Sequence, residues 1–468
     1  MAQKVGPRLG CGPVLLGTLP SSAQPAAIAG SAAMSTVLFW FRSDLRLHDQ
    51  RALQRACALG AKHLLPVVCL PDVHATTRWG FARIGPHRLA WWASAVEQLR
   101  RQLQHLGCPL WILDEPAASA LPALARTVGT RTVVCEEIAA PEEQAQVTDL
   151  RAAGLQVQTV WHSSLLDPDH LPWPPLQLPP VFTAFRQAIE SAGLQPAAPL
   201  PSPTALPPWP PGMPGQCTDA PAQALAALAG SVPAADGRSA FPYLQHGLHG
   251  GEAAALAHLA QYLARHLPHS YKRTRNGLLG LDFSSKWSPW LATGALSPRQ
   301  AWAQLRQFEA MHGASDGSYW LWFELLWRDY FRLLHLQHGR ALYRSRGLGP
   351  VRATPHDGRR FAAWCAGQTG QPLVDAAMRE LAATGYLGNR LRQVAASYLI
   401  HELGCDWRAG AAWFEAQLLD YDVYSNQGNW LYIAGRGTDP RGGRRFDPVR
   451  QAATWDPQGT YRRRWGTA

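Results

Sequence analysis

The 468-residue chain has no run of about 18 uncharged apolar residues, the length a helix needs to cross a bilayer. Its eight cysteines, Cys11, Cys57, Cys69, Cys108, Cys135, Cys217, Cys365 and Cys405, show no C-x-x-C spacing and no accompanying histidine cluster. That pattern argues against a zinc site or a disulfide framework and for a reducing compartment. No G-x-G-x-x-G follows the first apolar run, so the usual dinucleotide fingerprint is missing. No solenoid period recurs. Acidic residues are in deficit, 33 against 44 basic ones, and the net charge of +11 favours a polyanionic partner such as nucleic acid. Lysine is also scarce: 40 of the 44 basic residues are Arg, a bias that codon usage alone can produce.

What is present is a globular composition, 47% hydrophobic and 16% charged, in a chain long enough for two cores. Residues 1–34 contain Lys4 and Arg8, no acid, and much Ala, Ser, Gly and Pro, as in a targeting leader or an over-called start before Met34. From 35 to 165, short β-rich runs alternate with helical patterns. Strands are expected at Thr36–Phe41, Leu64–Leu70, Pro109–Leu113, Thr132–Cys135 and Leu155–Trp161, with Asp49 capping the first helix. Five such strands imply an α/β domain with a doubly wound, Rossmann-like parallel sheet. Between Pro168 and Pro214 lie 15 of the 38 prolines, which marks 166–240 as a connector draped over a surface. From 241 to 468 helical periodicity dominates, so the second domain reads as all-α.

Twenty tryptophans is a high count, and twelve of them fall between Trp287 and Trp465. Tryptophan is used where packing, stacking or electron transfer needs it. Within Gln368–Tyr432, apolar helical faces carry a small polar set, Asn389, Arg390, Arg392, Asp420, Asp422 and Asn426, suited to a polar, partly anionic ligand. Upstream, Ser284-Ser285-Lys286 before Trp287 and Ser288 can hold phosphate through hydroxyls, amides and an ammonium group. In Ser318–Leu334, helical spacing places Glu324, Trp327, Arg328 and Phe331 on one face. Two of those four are ionised, which suits a cavity wall better than a core stripe.

The segments FRSDLRLHDQRAL (41–53), TRNGLLGLDFSSKWSPWLATGALSPR (274–299), FELLWRDYFR (323–332), TGQPLVDAAMRELAATGYLGNRLRQ (369–393), DWRAGAAWFE (406–415) and DYDVYSNQGNWLY (420–432) closely resemble the cryptochrome/photolyase family. Among its branches they resemble the DASH-type cryptochromes, through RNGLLGLDFSSK, Gln393 and Tyr432. The resemblance implies one FAD in the helical domain. Tyr271, Ser284, Ser285, Lys286, Trp287 and Ser288 match its phosphate-binding segment, and Arg328 matches a residue near the same ligand. Asp420, Asp422 and Asn426 match flavin contacts, Arg392 would pair with Asp420, and Asn389 matches the residue facing flavin N5. A neutral amide there suits a flavin that works in its reduced form. Glu324, Trp327, Arg390, Gln393 and Tyr432 match the cavity that receives a flipped pyrimidine dimer.

Trp430 and Trp407 match the first two tryptophans of the family's electron route. The outer position is Thr354, which predicts either a detour through Trp364, Trp413 or Tyr424, or weak photoreduction. Glu137 aligns with a carboxylate contacting a methenyltetrahydrofolate antenna, and no metal is implied. The expected activity is blue-light repair of cyclobutane pyrimidine dimers, preferentially in single-stranded DNA, by a monomer. The competing expectation is a photosensory protein that binds DNA or RNA without turnover. A bacterial chain of this kind is expected in the cytoplasm near the nucleoid, and an organelle is expected if residues 1–33 are a transit peptide.

Overall fold

A computed structural model describes residues 36–174, 177–213, 236–350, 355–439 and 441–466, with isolated positions 223, 225 and 227. The leader expected at 1–34, Thr354 and part of the connector lie outside the described residues.

Five parallel strands, β1 (Thr36–Phe41), β2 (His63–Cys69), β3 (Trp111–Leu113), β4 (Thr132–Glu136) and β5 (Gln156–Val160), form one sheet in the order β3-β2-β1-β4-β5. All six residues of β1 are buried, as a central strand covered on both faces requires. Its register sets Leu38 beside Leu65 and Val133. Helices α1 (Arg51–Cys57), α2 (Pro86–His105), α3 (Ala117–Thr127) and α4 (Pro141–Ala152) alternate with the strands. The chain reverses its direction of winding at β1 and β4, so the crevice at their carboxyl ends is the topological switch point.

Asp49 does not cap α1; Gln50 holds that position. Asp49 instead sits at φ 47° and accepts hydrogen bonds from Arg299 Nε (2.9 Å) and from Ser297 Oγ. A buried guanidinium from the other half of the chain outcompetes a cap interaction for this carboxylate. The same seam holds Arg46, which donates to His48 O (3.0 Å), Gly294 O (2.9 Å) and Asp49 O (3.1 Å). Arg299 also reaches Ser164 O (2.9 Å) and His162 O (3.0 Å). Asp329 accepts from the backbone of Leu165 (2.8 Å) and Leu166 (2.7 Å). At Gly294, φ 71°, any Cβ would lie 2.0 Å from Ser43 O, so only glycine lets the two halves approach there.

The connector is more than a surface drape. Its helix α5 (Phe182–Ser191) buries Phe182, Phe185 and Ile189, an i, i+3, i+7 stripe, in the core of the helical half. Leu206 and Trp209 pack against the core beneath the sheet, and Pro208 O accepts from Leu64 N (3.2 Å). Proline keeps this strap extended, while its few large apolar residues anchor it to both domains.

The helical half comprises α6 (Glu252–Ala264), α7 (Tyr271–Thr274), α8 (Ser288–Thr293), α9 (Pro298–His312), α10 (Asp316–His338), α11 (Gly358–Cys365), α12 (Pro372–Thr384), α13 (Asn389–His401), α14 (Trp407–Gln417), α15 (Val423–Ala434), α16 (Pro448–Trp455) and α17 (Thr460–Trp465). Asp422 caps α15 by accepting from Ser425 N (2.7 Å), and Gly435 at φ 64° ends it. Among the described residues no helix is long and apolar enough to cross a membrane.

Candidate functional site

Helices α13, α14 and α15 enclose a cavity of about 520 Å³ whose lining includes Asn389, Arg392, Gln393, Asp420, Asp422, Asn426 and Trp430. Its charges are matched in pairs. Arg392 Nη2 donates to both oxygens of Asp420 (2.9 and 2.8 Å), while its Nε is fixed on Leu387 O (2.7 Å). Arg332 Nη2 lies 2.6 Å from Asp422 Oδ2. Burial pushes the Asp422 carboxyl up, but Arg332 and Arg328 together hold it well below the usual carboxylate range. Asn426 Nδ2 donates to Ala411 O (3.0 Å). Arg332 was not singled out from sequence; its signal is a guanidinium one helical turn beyond Arg328, on the same side of the helix.

The Ser284–Ser288 segment approaches this cavity through Tyr386. The Tyr386 hydroxyl hydrogen-bonds Ser284, and its ring lies 4.8 Å from Lys286 Nζ and 5.7 Å from the Arg392 guanidinium. Lys286 adopts φ 55° and is 5% exposed. Burial lowers its ammonium to about 8, against the pull of Glu380. His258 Nε2 donates to Ser285 O (2.8 Å) and so fixes the turn. Trp287 Nε1 and Glu380 Oε1 are buried without a hydrogen-bond partner among the described residues. Tyr271, at the start of α7, is buried, and Ser288 opens α8.

The face read on α10 divides among separate tasks. Glu324 forms an ion pair with Arg275, which the sequence places at the start of the 274–299 segment without marking it as a partner. Burial raises the Glu324 carboxyl and Arg275 opposes the rise. Trp327 stacks on Phe182 (3.8 Å, 10°) and meets Tyr432 edge-on (5.8 Å, 71°). Arg328 spends its guanidinium on Ser163 O (2.5 Å) and Leu291 O (3.2 Å), so it braces the domain seam and lines none of the cavities described here. Gln393 lines the Asn389 cavity. Arg390 Nη2 donates to Asn276 Oδ1 (3.0 Å), and its guanidinium lies 5.5 Å over Phe446.

The aromatic residues named for the electron route lie in different surroundings. Trp430 is in ring contact with Trp364 (6.4 Å) and Phe414 (5.1 Å), whereas Trp407, in the same core, donates its indole N–H to Ser345 O (3.0 Å). Trp413 sits half-buried against Phe81 (5.1 Å). Tyr424 is buried at the domain seam, its hydroxyl accepting from Ala139 N (2.8 Å). At the switch point, a cavity of about 880 Å³ is lined by Glu136, Arg42, Arg88 and Glu143. Glu137 is absent from that lining. Side chains alternate along a strand, so Glu137 turns to hydrogen-bond Thr159 beside β5 while Glu136 faces the cavity. Burial and the neighbouring Asp44 raise the Glu136 carboxyl to about 7.

Comparison with known proteins fits this geometry. Residues 37–204 match the family described as DNA photolyase, and residues 320–467 match the FAD binding domain of DNA photolyase. A cryptochrome DASH from Gloeobacter violaceus is 42% identical over 438 residues, covering 92% of this chain and 85% of that protein. One from Danio rerio is 39% identical over 444 residues, covering 92% of this chain and 83% of its own length. The solved structure of a Synechocystis sp. PCC6803 cryptochrome aligns with a TM-score of 0.85 at 38% identity, over 93% of this chain and 89% of that one. A class III photolyase from Agrobacterium tumefaciens aligns at 0.73 and 28% identity, over 94% and 88%. With its parallel-sheet domain, its helical domain and these relatives, the chain belongs to the cryptochrome/photolyase family, among the DASH cryptochromes.

Proposed function

We propose that this protein repairs cyclobutane pyrimidine dimers under blue light, with preference for single-stranded DNA. The donor set around Asn389 and Lys286 fits FAD. Lys286 is a buried cation over the Tyr386 ring, as suits a diphosphate site, and Arg392, Asp420, Asp422 and Asn426 would hold the flavin and its sugar chain. When bound, such a flavin supplies light-driven one-electron donation to the dimer, whose ring opens before the electron returns. The observation that carries the reading is charge balance around Asn389. Both nearby carboxylates are already paired with arginines, and the remaining position is a neutral amide. Nothing there opposes an electron-rich ligand.

For the substrate, the angled Trp327–Tyr432 pair offers two aromatic walls to an extruded dimer. Glu324 is within the same helix to meet base edges, and Arg275 and Arg390 supply positive charge for phosphate. Tyrosine at 432 stacks less surface than tryptophan. Extrusion from a duplex costs a few kcal/mol and little from an unpaired strand, so weaker stacking favours the latter. Trp430, Trp407 and Trp364 are proposed as the electron route, and a pterin antenna is proposed for the switch-point cavity. The protein is proposed to act as a monomer.

The alternative, a photosensory protein that binds DNA or RNA without turnover, draws on the cryptochrome names of its relatives. One assay separates the two. FAD-loaded, reduced protein is illuminated with a dimer-containing single-stranded oligonucleotide and restored thymines are counted. Light-dependent restoration is the expected result, and its absence overturns repair. Extraction of bound cofactors that yields FAD without any pterin overturns the antenna.

A further inference from the structure

A second cavity, about 550 Å³, opens on the other face of α15. Asn426 and Trp430 look into the Asn389 cavity, whereas Gly428, Leu431 and Tyr432 look into this one. Glu324, Arg390 and Gln393 are not in its lining, so it shares only the Trp327–Tyr432 partition with the proposed dimer cleft. Other walls come from Phe182 and Thr183 of α5, from Tyr330, Phe331 and Leu334 of α10, and from Leu348, Thr438 and Arg441.

Three features point to one kind of occupant. The lining is mostly aromatic and aliphatic, with a few polar groups, Thr183, the Tyr330 hydroxyl, Thr438, Asp439 and Arg441, the composition of a site for a flat ring with a polar edge. The mouth is cationic. Asp439 is shared by Arg441 (Nε, 3.0 Å) and Arg444 (2.9 Å), which leaves one positive charge in excess, and the Arg441 side chain is 66% exposed. Arg444 also lies 4.9 Å over the Tyr432 ring. The cavity is built in advance of any ligand. Thr438 Oγ1 is 3.0 Å from the Tyr330 hydroxyl, which donates to Pro180 O (2.8 Å), tying loop to connector. A Cβ at Gly435 would lie 2.3 Å from Gly442 C, so the loop crosses itself where only glycine fits.

A flat ring with an attached anion is a nucleotide. We propose that this cavity receives one unpaired nucleobase next to the lesion, with Arg441 at its phosphate, and that it selects single strands. The assignment rests on the repair reading for its neighbour, the dimer, but not for its own chemistry. In a duplex the flanking base is stacked and paired, and moving it costs a few kcal/mol; in a single strand it is free to enter.

The test is equilibrium binding of the FAD-loaded protein to single-stranded oligonucleotides, followed by fluorescence anisotropy. The strands carry a thymine dimer and one abasic site, placed on either side in turn. Removing the base that enters the cavity weakens binding roughly five- to hundred-fold, the range for a stacked base on an aromatic wall, and the effect is confined to one side. Thr438→Phe, which fills the cavity, weakens binding to the intact strand and leaves the abasic strand unaffected. Should that variant fail to fold, the abasic comparison on the native protein stands alone. Equal affinities for intact and abasic strands, or equal losses on both sides, overturn the proposal. The same scan on undamaged strands separates the two readings. A one-sided loss there sustains the cavity even if dimers bind no better than normal thymines, which would defeat the repair reading instead.

Discussion

Two buried polar clusters in this molecule look alike in composition and differ in bookkeeping. At the domain seam, Arg46 and Arg299 direct their donors to backbone carbonyls and to Asp49, and Asp329 accepts two backbone amides. Around Lys286 the accounts stay open. The ammonium faces a ring, Glu380 Oε1 and Trp287 Nε1 have no partner among the described residues, and the backbone at 286 is left-handed. Buried arginines whose donors are met hold a fold together; a buried ammonium over a ring holds a place for something else.

The largest expected effect tests the satisfied side. Arg299→Met removes one partner of a buried pair and strands Asp49, so urea unfolding should show a loss of ~3–5 kcal/mol. An unchanged midpoint would break the contrast. On the open side, Lys286→Met should leave the stability of the FAD-free protein equal or higher, because it removes a desolvated cation. It should weaken FAD binding by about ten- to hundred-fold, the worth of a charge-assisted hydrogen bond. The sign with pH follows. The folded Lys286 ammonium is depressed to about 8 from 10.5, so the FAD-free fold binds fewer protons than the unfolded chain between those values and gains stability as pH rises. Diphosphate binding restores the proton, so FAD affinity should fall as pH climbs above 8 in the native protein, and this component should vanish in Lys286→Met. The smallest effect belongs to Lys272→Gln, whose partner Asp316 is 2.9 Å away on the surface. It should move stability by less than ~0.5 kcal/mol, and less still in high salt.

Much of the fold was legible in the sequence because its signals are local. The apolar run of β1 and the Gly85–Pro86 start of α2 can each be read in a short window. What escaped depends on distant partners. Asp49 carries the signature of a cap, yet a guanidinium 250 residues on takes it. Glu136 and Glu137 are equally acidic in sequence, and only the fold shows that Glu136, at the end of β4, lines the switch-point cavity. Three residues were open as detours in the electron route, and only packing across helices shows that Trp364 is the one in ring contact with Trp430. Arg328 sits in a ligand-like motif, and its two carbonyl partners come from distant elements that no short window shows. Short α16 and α17 gave too few turns for a periodic signal.

The Asp49–Arg299 pair also bears on how the chain is made. At a synthesis rate of about 5–20 residues per second, Arg299 emerges roughly 10–50 s after Asp49. During that interval the sheet domain can fold, but Asp49 in the loop after β1 lacks the Arg299 guanidinium that closes the seam. Final docking of the two halves is therefore a late event set by translation, and slowing the ribosome between residues 50 and 299 would lengthen the time in which the seam stands open to chaperones.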